Sequence, residues 1–176
     1  VPSSSVLALL GTFATLPAAC HRSEPRPPTL EEALPEHTGA ELPIAIETTE
    51  GTIHCTLEPM RVPRSVAMLV GLATGRSAFR DWKTGRVVSK RYYRGLPVFR
   101  AIEDVLIQSG CPVGDGTGTP GYRIAVESTT GDAERLSRPG ALLLARYHPA
   151  PNRADPSPPP AGAFIGSQFV VTLTDM

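Results

Sequence analysis

YRGLPVFRAIEDVLIQSGCPVGDGTGTPGY, residues 93–122, is the stretch whose reading decides the fold. Its first half holds two apolar runs, Leu96–Ile102 and Val105–Gln108, short enough to be strands and separated only by Glu103-Asp104. Its second half, from Ser109, places five glycines in fourteen residues, a composition suited to successive tight turns rather than to a regular element. A phosphate-binding loop is the natural alternative for such a segment. It lacks the Gly-Lys-Ser/Thr ending, and GDGTGTPG opens no helix, so nucleotide binding is set aside. Cys111, next to Pro112, reads as a small turn residue rather than a reactive thiol.

Upstream, Ile44, Ile46 and Thr48 alternate with polar neighbours, as do Ile53, Cys55 and Leu57, with Glu50-Gly51 between the runs. That period of two predicts a hairpin. Pro63 then opens RSVAMLVGLATG, a helix with Val66, Leu69, Val70 and Ala73 on one face and Gly75 as its stop. Residues 76–91 form a charged excursion around a Lys-Thr-Gly turn. Downstream, Ala141–Ala145 and Gln168–Leu173 read as two more strands. Between them six of residues 149–160 are proline, which cannot donate to a ladder, so 147–163 is expected as an exposed, polyproline-like insertion.

Across the 176 residues, 17 basic groups balance 17 acidic ones, leaving nothing to neutralise a row of phosphates and arguing against a nucleic-acid partner. Three scattered cysteines and four histidines without ligand spacing offer neither a disulfide scaffold nor a metal site. Residues 6–19 are an apolar run of signal-peptide length ending Ala18-Ala19-Cys20, similar to the lipobox at which bacterial lipoproteins are cut and acylated. Pro17 stands where the lipobox usually has a leucine, and no Lys or Arg precedes the run. The expectation is an exported chain, periplasmic or membrane-anchored through a lipid on Cys20. Residues 21–42 then form a Pro-rich tether with a short helical turn at Leu30–Leu34, and 43–176 form the folded domain.

GTIHCTLEPMRVPRSVAMLVGLATG, YRGLPVFRAIEDVLIQSG, CPVGDGTGTPGY, RPGALLLA and GSQFVVTL, in that order, resemble the cyclophilin-type peptidyl-prolyl isomerases, bacterial members in particular. The resemblance implies a mainly β fold: an antiparallel β-barrel with a helix after the first hairpin. It also implies that the last strands and the second helix of such a barrel are lacking here, since the matched strand region runs to Met176. The family motif Y-x-G-x-x-F-H-R-V-I falls on Tyr93, Gly95, Val98, Phe99 and Arg100, with Val98 replacing the Phe and Phe99 the His. Arg100 takes the catalytic arginine's place. In P-G-F-M-x-Q-G-G-D, Val105 and Leu106 replace the Phe and Met of the proline pocket, and Gln108 matches. Ala145 matches the small residue of M-A-N-A, while Arg146 stands at the Asn. In G-S-Q-F-F, Gln168 is retained and Val170 replaces the second Phe.

The resemblance therefore implies an isomerase acting on X–Pro bonds of envelope or secreted proteins. Arg100 would be catalytic, Val105, Leu106, Gln108, Ala145, Gln168 and Val170 would bind a proline-containing polypeptide, and no metal or organic cofactor is called for. The two valines remove aromatic surface from the slot, each ring being able to bury about 150–250 Å². A catalytically weak or inactive peptide-binding module is the alternative.

Overall fold

The computed structural model describes residues 24–127, 138–146 and 164–174. The expected signal peptide 1–20, with its apolar stretch 6–19 and Cys20, and the Pro-rich insertion 147–163 lie outside the described residues.

Leu42–Thr48 (β1) and Gly51–Leu57 (β2) form the expected antiparallel hairpin, with Ile44 opposite Cys55 and Ile46 opposite Ile53. The hairpin leads into a helix, Pro63–Thr74 (α2). Pro63 occupies its first turn, where no intrahelical N–H is needed. Gly75 ends it at φ 81°, and a Cβ there would lie 2.9 Å from the Lys90 carbonyl carbon. Seven successive residues, Val66–Leu72, are buried, more than one amphipathic face can hide. Ala73, assigned by its spacing to the buried face, is exposed instead.

The second layer over α2 comes from the segment read as a tether, of which residues 24–34 are laid against the domain. Pro28 lies beside Gly71, and Leu30–Ala33 (α1) packs on α2. A capping box starts α1: the Glu32 amide donates to Thr29 Oγ1 (3.2 Å) and the Thr29 amide to Glu32 Oε2 (2.8 Å). Arg76 Nη1 donates to the Ala33 carbonyl at 3.0 Å, and Glu24 pairs with Arg80.

The charged excursion folds as a second small hairpin, Phe79–Arg80 (β3) with Val87–Val88 (β4). The larger sheet contains Arg100–Ile102 (β5), Leu106–Ser109 (β6), Ile124–Ala125 (β7), Leu142–Arg146 (β8) and Phe164–Thr172 (β9). Its order is β5-β6-β9-β7, with β8 also pairing β9, and every pairing is antiparallel. β9 begins four residues before the expected Gln168. Phe164 and Ile165 extend it by pairing with Ala125 and Ile124, a contact the intervening Gly166 hides in the sequence pattern.

One face of β6, β8 and β9 (Ile107, Leu142, Leu144, Phe169, Val171) packs with Val66, Leu69 and Val70 of α2 and with the β1–β2 hairpin. Met68 and Leu72, on another side of the helix, join Phe79, Tyr92, Tyr122, Ile124 and Ile165. The fold is mainly β, and α2 is the post through which both apolar clusters meet.

The start of α2 has no side-chain cap of its own. Glu127 supplies it from 62–63 residues away. Its Oε1 accepts from the Arg64 amide (3.0 Å) and its Oε2 from the Ser65 amide and hydroxyl (2.7 Å each). Burial pushes this carboxyl up, but the hydrogen bonds from Ser65 and Arg64 outweigh it and hold the group below its ordinary 4.5. The stabilisation is therefore complete above pH 4.5 and is lost as pH falls through the lower folded-state value. Glu127→Ala should lower the unfolding free energy by about 1–3 kcal/mol at pH 7. The gap to wild type should narrow at pH 3. Urea titrations at the two pH values measure both, and an equal gap at each would contradict the assignment.

Candidate functional site

Arg100 on β5 lies opposite Gln108 on β6, Gln108 opposite Val170 on β9, and Val170 opposite Leu143 on β8. Directly opposed residues share a face of a sheet. Since Ile107, Phe169, Val171, Leu142 and Leu144 face the core, this cross-strand row faces away from it. Period two thus puts a strip that is polar at Arg100 and Gln108 and apolar at Val170 and Leu143 on the outside of strands whose alternate residues are core.

The strip is connected. Arg100 Nη1 donates to Gln108 Oε1 at 3.4 Å, a loose bond, and Gln108 Nε2 donates to Gln168 Oε1 at 3.1 Å. Gln168 Nε2 donates to the carbonyls of Gly116 (2.7 Å) and Gly118 (3.1 Å) in the glycine-rich loop. Arg100 is exposed and, among the described residues, has no acidic partner. A guanidinium carries five N–H donors, so most of its capacity is free for a ligand.

The far end of the relay is held by a thiol. Cys111 is fully buried, and its Sγ accepts from the amides of Gly116 (3.2 Å) and Gly118 (3.3 Å). The two glycines whose carbonyls hold Gln168 are therefore pinned through their N–H groups as well. The loop leaves β6 at Gly110, where φ is 89°. A Cβ there would sit 2.4 Å from the Ser167 carbonyl oxygen, so only glycine lets the loop pass β9. Ser167, fully buried, donates to the Gly110 carbonyl (2.8 Å) and bonds the Tyr92 hydroxyl (2.8 Å). Tyr93 Oη donates to the Ser167 carbonyl at 2.9 Å. Burial pushes both phenols well above their ordinary value, which keeps them neutral donors at physiological pH.

Among the residues singled out from sequence, Arg100, Gln108 and Gln168 form one hydrogen-bonded chain, with Val170 in register beside Gln108. Leu106 shares the Gln108 face but is buried, so it offers a ligand little surface. Val105, half-buried, sits in the turn between β5 and β6, and its carbonyl accepts from the Leu173 amide at 2.8 Å. Ala145 lines a concavity of about 20 Å³ with Gln168, Gly116, Gly118, Thr119, Arg146, Gly166 and Ser167. That volume holds about one water, so a larger group would have to displace its walls. Phe99, at the family's His position, lies over Gly116, where a Cβ would come within 3.2 Å of its ring. It is a packing residue. The sequence reading missed the anchoring role of Cys111, Ser167 and the Tyr92–Tyr93 pair. The one signal available was Cys111 standing where the motif ends in Asp.

Three comparisons bear on this arrangement. Residues 43–176 match the family described as cyclophilin type peptidyl-prolyl cis-trans isomerase/CLD. Peptidyl-prolyl cis-trans isomerase B of Streptomyces anulatus is 33% identical over 129 residues, covering 73% of this chain and 65% of that protein. A probable peptidyl-prolyl cis-trans isomerase A of Mycobacterium leprae is 31% identical over 128 residues, covering 73% and 62%. The chain thus spans slightly less than two thirds of the length of these curated relatives. Among solved structures, a Cryptosporidium parvum cyclophilin type isomerase, crystallised in the presence of the dipeptide Ala-Pro, superposes with a TM-score of 0.53 at 21% identity. It covers 77% of this chain and 70% of its own, and supports the likeness of fold.

Cys111→Ala removes the acceptor for two loop amides. Hydrogen exchange at Gly116 and Gly118 should accelerate by roughly tenfold or more, the equivalent of about 1.4 kcal/mol of lost local protection. Exchange at Ile107 in β6 should change little. NMR-detected exchange measures both, and unchanged rates at the two glycines would show that the sulfur does not hold the loop.

Proposed function

The chain belongs to the cyclophilin-type peptidyl-prolyl cis-trans isomerase family, and we propose that it isomerises X–Pro bonds in polypeptide substrates. The observation that carries this is the relay from Arg100 through Gln108 to Gln168 and the glycine loop, on the outer face of a rigid sheet.

Amide resonance puts a barrier of about 18–20 kcal/mol on rotation about the peptide bond, and uncatalysed X–Pro exchange takes tens to hundreds of seconds. No bond to a heavy atom is made or broken and no proton needs to move. Lowering the barrier requires a donor for the prolyl nitrogen, which regains its lone pair as the amide twists, and a surface that holds the chain on either side. Arg100 supplies a permanently charged donor with unspent N–H groups. Gln108, itself fixed by the buried Gln168, steers it. Val170 beside Gln108 and half-buried Val105 supply apolar contact. Phe99 at the His position is compatible with this scheme, which asks for no base.

The substrates proposed are envelope or secreted proteins, with the enzyme itself periplasmic or membrane-anchored. The support is the apolar stretch 6–19 and its Ala18-Ala19-Cys20 ending, with Cys20 as the acylated residue. A second reading, a binding module with little turnover, is favoured by Val105 and Val170 in aromatic positions and by the burial of Leu106.

Arg100→Ala should reduce kcat/KM on a chromogenic X–Pro peptide by about 10²–10³, the usual cost of losing a donor aimed at developing charge. Its circular dichroism should match wild type, because the side chain is exposed. Equal, background-level rates for both proteins would favour the binding module. For the anchor, Cys20→Ser should move the protein from the membrane fraction of cells to the soluble one, and identical partitioning of both forms would refute lipidation there.

A further inference from the structure

Arg146 ends β8 just past a break in its pairing with β9. Leu142, Leu143 and Leu144 oppose Val171, Val170 and Phe169, but Arg146 opposes Ile165. One residue of β8, Ala145, therefore spans the length taken by Gly166, Ser167 and Gln168. The slack in β9 opens the small concavity, and Arg146 stands in its wall as the one charged residue that lines it.

The other polar side chains there are already engaged. The Gln168 amide nitrogen is held by Gly116 and Gly118, its oxygen by Gln108, and the Ser167 hydroxyl by Tyr92 and Gly110. Arg146 is exposed and, among the described residues, makes no ion pair or side-chain hydrogen bond. Among the described residues, no acidic side chain pairs with the guanidinium near either end of the relay, Arg100 on β5 or Arg146 on β8. A strand position packed against a polar concavity and filled by an arginine that has no ion pair among the described residues is a ready fork for a carboxylate.

We propose that Arg146 is a specificity-determining residue that selects polypeptides carrying an acidic side chain near the isomerised proline. The inference rests on the functional reading above, since it takes Arg100 as the group that meets the proline. Strands β5 and β8 are three spacings apart, about 14 Å at ~4.8 Å each, and Arg146 lies three residues, about 10 Å, along β8 from Leu143 in the Arg100 row, so the two backbones are about 17 Å apart. An extended peptide advancing ~3.3 Å per residue covers that distance in about five residues, and the reach of two long side chains shortens it. The carboxylate belongs two to four residues from the proline. Screening weakens such a contact, so the preference should decline with added salt.

The test uses peptides identical except for Glu, Gln or Lys placed two, three or four residues from a single proline, on either side. Affinity is read by fluorescence polarisation and isomerisation by exchange NMR, at low and high salt. For wild type the best Glu peptide should bind about five- to tenfold more tightly than its Gln counterpart, with Lys weaker still. Arg146→Gln should level Glu and Gln, Arg146→Lys should restore part of the preference, and Arg146→Glu should favour Lys. Equal wild-type affinity for the three peptides, a preference that survives Arg146→Gln, or no binding at all overturns the proposal. The two readings fail separately. Faster isomerisation without charge preference removes the role of Arg146 and keeps the isomerase, whereas Arg146-dependent binding without faster isomerisation keeps the role and removes the isomerase.

Discussion

The side-chain amide of Gln168 is the interaction on which the site depends. It is buried, and a buried amide left unpaired costs about 1–3 kcal/mol. Here its oxygen accepts from Gln108 and its nitrogen donates to two loop carbonyls. Satisfying that group ties together elements far apart in the chain: β6 with its arginine partner on β5, the glycine-rich loop, and β9 itself. Cys111 closes the arrangement from beneath by taking the amides of the same two glycines. The buried members of this network are all paired, which holds Gln108 in place for its looser bond to the exposed Arg100.

For the proposed function this means that the guanidinium of Arg100 is oriented by Gln108 and, among the described residues, by no ion pair. A carboxylate beside it would hold it more firmly but would also spend its charge. Gln108 orients the group and leaves the charge available. The apolar side of the site is weaker, because Val170 replaces a ring and Leu106 is drawn into the protein. The polar half of the candidate site thus keeps more of the family motif than the apolar half, and under the proposed function substrate affinity has to come from elsewhere on the sheet face.

Much of the architecture was legible from local pattern. The hairpin of β1 and β2 and the Pro63 start and Gly75 stop of α2 follow from periods of 2 and 3.6 and from turn residues, and the strands of Arg100 and Gln108 from two short apolar runs, although β5 begins at Arg100 and not at Leu96. What escaped was set by distance in sequence. Glu127 capping α2, Cys111 pinning the glycine loop, and residues 24–34 covering the second side of α2 are contacts whose partners carry no pattern of their own. Ala73 was misplaced for a different reason: Val66, Leu69 and Val70 of its stripe are buried, but Ala73 lies in the last turn of α2, where the stripe runs out into solvent. The early start of β9 was masked by Gly166, which interrupts the apolar run without interrupting the strand.

The most direct measurement is two-dimensional exchange NMR of a proline-containing peptide with substoichiometric protein, comparing wild type with Arg100→Lys. The account predicts cis–trans exchange peaks at mixing times of about a second with wild type, far faster than the tens of seconds of the free peptide. It also predicts their loss in Arg100→Lys, which keeps the charge but not the fork that Gln108 orients, while the peptide still binds. Undiminished exchange in that variant, or binding without exchange in wild type, would contradict it.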